Sequence, residues 1–305
     1  MSMVLPAHPA RTGHGATPPT DAEATDPMVL DRSIGDFLRR ARSLSDGQIE
    51  QILQHQRKRG IRFGEAAVAL KLATPDEVLW ALSQQFHYPY ALDHAREFNE
   101  ELVVAIEPFG QQAEVFREIR SQLMMGVLAP EQRRSALAIV SCDPGDGKSF
   151  FAANMAIAFS QLGGRTLVID ADMRTPRQHE LFRVPNEAGL SNVLSNRSDS
   201  NLMYRVPELP SLYVLPVGTV PPNPLELLQR PAFGLLMQEL MGKFDHIVVD
   251  TPAASSGADA RVIASRCGAA LLLGRRGRTR MRAIEPLLHA LQGVTRVAGV
   301  TMNDY

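Results

Sequence analysis

Along residues 136–305 short apolar runs alternate with longer segments of helical periodicity. The runs fall at 136–141, 166–170, 212–216, 246–250, 269–273 and 297–302. Runs of this length, rich in Val, Ile and Leu and bounded by turn formers, predict strands buried on both faces. The segments between them carry helical patterns, as in FFAANMAIAFSQLGG after the first run. Strand alternating with helix predicts a mostly parallel, doubly wound α/β sheet with helices on both faces.

The region ahead of the sheet reads differently. IGDFLRRARSLSDGQIEQILQHQ begins at Ile34 and FGEAAVALKLATPDEVLWALSQQ at Phe63, and the two superpose at an offset of 29 residues. Gly35 then pairs with Gly64, Leu53 with Leu82 and Gln56 with Gln85. Each copy predicts two short helices, the second capped by Ser45 or Thr74. Residues 31–92 are therefore read as a small all-helical domain. Residues 1–30, rich in Pro, Ala, Thr and Gly, hold little to bury and are expected to be disordered. Residues 93–110 read as a linker ending in Pro108-Phe109-Gly110, and 111–305 as the α/β domain.

The first strand leads into ALAIVSCDPGDGKSF at 136–150. Strand, glycine-containing loop, Lys-Ser and helix is the arrangement of a P-loop, and gives the α/β domain a P-loop NTPase type. Backbone N–H groups along Asp143, Pro144, Gly145, Asp146, Gly147, Lys148, Ser149 and Phe150 can surround phosphates, Pro144 excepted, aided by the helix N-terminus. Lys148 would reach the β- and γ-phosphates and the Ser149 hydroxyl would ligate Mg²⁺. Four lysines stand against twenty-eight arginines in the chain, which makes a lysine at this position less incidental. Cys142 replaces the usual first glycine.

Two acidic elements follow at strand ends. TLVIDADMR, 166–174, carries Asp170 and Asp172; FDHIVVDTP, 244–252, carries Asp250. In a parallel sheet both ends lie on the edge that holds the P-loop. One such Asp alone reads as a turn or cap. Three of them downstream of a P-loop predict Mg-ATP chemistry: Asp172 and Asp250 with Ser149 on the metal, and Asp170 as a companion base or water organiser. With Lys148, these three carboxylates form the candidate catalytic set. Asn303, just past the last run, has two readings: it resembles the Asn with which related P-loop folds read adenine, and it fits a strand-ending turn. Five arginines between 275 and 282 read as a solvated face or as a contact for phosphate or an acidic partner.

Composition narrows the surroundings. The formal net charge is −1, so nothing draws the chain as a whole to nucleic acid. No apolar run reaches the roughly 20 residues that span a bilayer. No N-terminal signal is evident, which places the chain in the cytoplasm. Two cysteines are too few for a disulfide framework.

Together these motifs resemble the bacterial tyrosine kinases. The P-loop, the hydrophobic-Asp-x-Asp-x-Arg element at 167–174 and the hydrophobic-Asp-Thr-Pro element at 247–252 match that family's Walker A, A′ and B motifs. EVFREIR, with Glu114, Arg117 and Arg120, is similar to its oligomerisation motif, and LPVGTVPPNPLELL at 215–228 to the segment after its third strand. The resemblance covers roughly 111–305 and looks closest to kinases partnered with a chain-length determinant in exopolysaccharide export. It implies a Mg-ATP-dependent kinase acting on protein tyrosines, its own neighbours' included. It also implies a homo-oligomer held at the inner membrane by the cytoplasmic tail of a polysaccharide co-polymerase.

Two alternatives follow from departures. The chain ends at Tyr305, without the tyrosine-rich tail typical of the family, which keeps open an ATP-binding scaffold that phosphorylates nothing. A MinD/ParA-type ATPase would carry a second lysine early in the P-loop, where this chain has Asp143 of opposite charge. The helical repeats resemble the N-terminal domain of type II secretion ATPases, some of which bind cyclic di-GMP through Arg-Leu-Gly motifs. Here the second repeat has Arg62-Phe63-Gly64 and the first Ser33-Ile34-Gly35, which favours a docking domain over a cyclic di-GMP site.

Overall fold

The computed structural model describes residues 34–85, 98–197 and 202–304. The tail expected at 1–30 and Tyr305 lie outside the described residues. The chain divides into two compact units, one helical and one α/β.

The helical unit holds α1 (Ile34–Arg42), α2 (Asp46–Arg59), α3 (Phe63–Ala69) and α4 (Pro75–Gln85). Both expected caps form. Ser45 Oγ accepts from Gln48 N, and the Gln48 side chain accepts from Ser45 N in return. Thr74 and Glu77 repeat this reciprocal pair one repeat later. Leu38, Ile52, Ala66, Ala67 and Ala81 form a fully buried centre. Gly64 is explained by packing, since a Cβ there would lie 2.3 Å from Val78 Cγ1.

Among the described residues, the α/β unit is built on seven strands in the order β3-β4-β2-β5-β1-β6-β7. These are β1 (Ala136–Ser141), β2 (Thr166–Asp170), β3 (Tyr204–Arg205), β4 (Leu212–Leu215), β5 (His246–Asp250), β6 (Gly268–Arg275) and β7 (Arg296–Asn303). Every neighbouring pair is parallel except β3 with β4. The six expected runs are all strands; β3 is an addition of two residues on an edge. β1, β2 and all but the first residue of β5 are buried throughout, as strands covered on both faces must be.

The helices are α5 (Val103–Ile106), α6 (Gln111–Met125), α7 (Lys148–Ser160), α8 (Gln178–Leu181), α9 (Leu190–Leu194), α10 (Pro224–Gln229), α11 (Pro231–Lys243), α12 (Asp259–Cys267) and α13 (Met281–Gln292). Two apolar cores, one per face, hold the sheet between these helices. Phe116 of α6 and Phe151, Ile157 and Phe159 of α7 belong to one; Phe233 of α11, Ile263 of α12 and Leu287 of α13 belong to the other. The stretch 98–110, expected as linker, belongs to this unit. Phe98, Leu102 and Val104 are buried against α7, and Val104 N donates to Asn154 Oδ1 at 3.0 Å.

Candidate nucleotide and catalytic site

The P-loop joins the end of β1 to α7. Gly145 and Gly147 take φ of 81° and 94°, which side chains other than glycine disfavour. Space imposes the same choice at Gly147, where a Cβ would lie 2.1 Å from Asn303 Nδ2. Asp146 is fully buried and accepts from Asp143 N at 2.9 Å, closing the loop on itself. Lys148 is 6% exposed and opens α7. Asn303 ends β7 and donates to Asp146 O at 3.2 Å, so it stands directly over the loop.

Sheet register aligns the acids. Asp170 is paired with Asp250 across β2 and β5, and Ile139 with Asp250 across β1 and β5. The P-loop and both acidic elements therefore share one edge. Thr251 Oγ1 donates to Ile139 O at 2.7 Å and ties the end of β5 to β1.

Each carboxylate has a different set of partners. Asp170 is fully buried; one oxygen accepts from Asp172 N and the other from Arg177 N and Gln178 N. Its oxygens thus shape the 172–178 segment. Asp172 lies further out and accepts from Arg174 N, Thr175 N and Thr175 Oγ1. Asp250 accepts from Gln178 Nε2 at 2.9 Å through Oδ2 and is hydrogen-bonded by Ser149. Its Oδ1 is buried and has no hydrogen-bond partner among the described residues. Arg174 reaches the buried Asp259 at the start of α12, at 3.1 Å.

Gln178 was not foreseen from the sequence. Its side-chain nitrogen donates both to Asp250 and to Ser149 O, while its backbone N–H serves Asp170. It links the three motif elements through one residue. Arg275 and Thr279 were also missed as individuals; the first donates to Gly145 O and the second to Asp146 Oδ1.

Burial raises the pKa of two of these acids. Asp170 is held well above the ordinary carboxylate range, first by burial and then by Asp250. Asp250 is pushed up to about 6, mainly by burial, against the hydrogen bonds from Gln178 and Ser149 and the charge of Lys148. The folded protein thus binds the Asp250 proton more tightly than the unfolded chain. Its contribution to stability is fully present below the unfolded value of 3.8 and is lost as pH rises through about 6. Metal binding by Asp250, as the sequence predicts, would have the opposite sense, because a hard cation needs the carboxylate. Apparent Mg²⁺ affinity in the presence of ADP is expected to fall towards acid below pH 6, by up to about tenfold per pH unit for one competing proton. Calorimetric titrations from pH 5 to 8 measure it; Asp250→Asn should flatten the profile, and equal affinity at pH 5 and 7 in the wild type would contradict the assignment.

The chain matches the family model for the CobQ/CobB/MinD/ParA nucleotide binding domain over residues 137–305. It is 34% identical over 205 residues to "Putative tyrosine-protein kinase CapB" of Staphylococcus aureus, covering 66% of this chain and 88% of CapB. The chain belongs to the bacterial tyrosine-protein kinases. Tyrosine-protein kinase YwqD of Bacillus subtilis (strain 168) is 31% identical to this kinase, with 66% and 85% of the two chains covered. Tyrosine-protein kinase ptk of Acinetobacter johnsonii is 33% identical, but this kinase spans only 24% of its length. Among solved structures, the chimerical protein CapA2B2 matches with a TM-score of 0.63 at 30% identity, over 73% of this kinase and 96% of the chimera. The kinase domain of Escherichia coli tyrosine kinase ETK matches with the same TM-score at 29% identity, over 66% and 79%.

Glu114, Arg117 and Arg120, expected from the sequence to serve oligomerisation, lie on α6. Arg117 pairs with Glu114 at 2.7 Å and donates to Pro108 O at 2.6 Å, while Arg120 hydrogen-bonds Ala158 O. No described helix is long and apolar enough to cross a membrane.

Proposed function

We propose that this bacterial tyrosine kinase transfers the γ-phosphoryl group of Mg-ATP to tyrosines on neighbouring copies and on other proteins. In doing so it regulates exopolysaccharide chain length, polymerisation and export. The observation that carries this reading is the union of Ser149, Asp170 and Asp250 through Gln178, beside Lys148, on one sheet edge.

The residues fit a magnesium ion. Asp250 Oδ1 is a buried carboxylate oxygen without a partner among the described residues, and Ser149 beside it offers a hydroxyl. Ser149, Asp172 and Asp250 would hold the ion, and bound Mg²⁺ neutralises phosphate charge. The chain's own residues do the rest. Lys148 draws charge from the β- and γ-phosphates, and the loop amides fix their direction. Asp172, the outermost acid, takes the proton of the attacking phenol as its oxygen bonds to the γ-phosphorus; the bond to the β-phosphate oxygen breaks and ADP departs. Asp170, fully buried and accepting from Asp172 N, Arg177 N and Gln178 N, holds the segment that carries Asp172. Asn303, over the loop, reads the adenine.

The kinase would work at the cytoplasmic face of the inner membrane, bound to the tail of a chain-length determinant, as an oligomer. Glu114, Arg117 and Arg120 would set the register between subunits, where charge pairs add specificity more than affinity. Arg117→Ala with Arg120→Ala is expected to shift the ATP-bound assembly towards monomer and to reduce phosphorylation between subunits, with nucleotide binding retained. Sedimentation with and without a partner tail peptide tests this. Wild type and double variant sedimenting alike as monomers under every condition would refute the oligomeric part.

A further inference from the structure

The turn that follows β6 lies beside the P-loop because all six residues of β1 pair with β6, up to Ser141 with Leu273. Arg278 N and Thr279 N both donate to Arg275 O, so residues 275–279 form a tight turn. Inside it, Arg275 N donates to Thr279 Oγ1 at 2.7 Å. That hydroxyl's proton goes outward, to Asp146 Oδ1 at 3.0 Å. The other oxygen of Asp146 accepts from Asp143 N, and Arg275 also donates from its guanidinium to Gly145 O at 2.9 Å. The result is a closed chain of hydrogen bonds running from one loop to the other, through a carboxylate that is fully buried.

We propose that Thr279 is a positioning residue for phosphate binding, latching the P-loop through Asp146 so that its amides stay turned towards the nucleotide. This rests on reading 143–150 as the nucleotide site, and not on the identity of the phosphoryl acceptor. The physical reason is preorganisation. A loop containing Gly145 and Gly147 has much conformational entropy to lose, and a loop already held in its binding shape loses less on binding. A buried carboxylate in a satisfied network rigidifies its surroundings, whereas one deprived of a partner becomes a liability. The Thr279 hydroxyl is taken up by Arg275 N and Asp146 Oδ1, so it acts through Asp146.

Thr279→Val keeps the size and branching of the side chain and removes the hydroxyl. Affinity for Mg-ADP and Mg-ATP, measured with a fluorescent nucleotide analogue, should fall about tenfold, the equivalent of about 1.4 kcal/mol. The kcat at saturating ATP should change little, so the loss appears in KM. Hydrogen exchange at the amides of 143–147 in the nucleotide-free protein should speed up, and Thr279→Ser should restore both readings. Nucleotide affinity within twofold of wild type, together with unchanged amide exchange, would overturn the proposal, as would failure of Thr279→Ser to rescue. Should Thr279→Val fail to fold, Thr279→Ala is judged by the same two readings. Nucleotide affinity and amide exchange do not depend on the phosphoryl acceptor, so a wrong kinase assignment would leave those two readings intact.

Discussion

Lys148→Met is expected to abolish nucleotide-dependent activity while leaving the fold intact. Lys148 is the first residue of α7, where the helix dipole disfavours a cation. Its charge is therefore not there to stabilise the helix, and Met fills the space of its buried stem. What the substitution removes is the ammonium beside Asp250, the charge proposed to face the phosphates. Losing one fixed charge that stabilises a transferring group costs about 10²–10³ in rate. The melting temperature should hold or rise slightly. Wild-type ATP affinity and turnover in the variant would overturn the P-loop assignment.

Asp172→Asn is expected to cost at least about a hundredfold in phosphoryl transfer, the scale of losing a positioned acid–base group. The variant separates two roles that the geometry superimposes. Asp172 Oδ1 accepts from Arg174 N and Thr175 N, and an Asn oxygen can do the same. Oδ2 accepts from Thr175 Oγ1, and an Asn amide can donate to that hydroxyl instead. The turn should survive and only the charge be lost. Full Mg-dependent turnover by a folded Asp172→Asn protein, measured by steady-state kinetics, would reduce Asp172 to a turn cap.

Much of this was legible in the chain itself, because the signals were local. Buried parallel strands announce themselves as continuous apolar runs, and β1, β2 and β5 end at the residues expected. The caps at Ser45 and Thr74 were visible because a cap and its partner lie three residues apart. What escaped was non-local. Gln178 gains its meaning from Asp250, 72 residues later, and Thr279 from Asp146, 133 residues earlier. Neither has a neighbour in sequence that marks it. α5 escaped for a related reason: a four-residue helix has no periodicity to read, and only its burial against α7 makes it part of the unit. β3, two residues long, was too short to show alternation. Glu114 and Arg117 read from the motif as a subunit contact, and in the single chain they pair with each other.

The most direct test of the central claim is the fate of the γ-phosphate. The purified protein would be given γ-labelled ATP, Mg²⁺ and a tyrosine-bearing acceptor, either a second copy of the chain or a peptide. The account predicts label on tyrosine that depends on Mg²⁺ and is lost in Lys148→Met. Label recovered solely as inorganic phosphate, with no phosphotyrosine under any of these conditions, would contradict it.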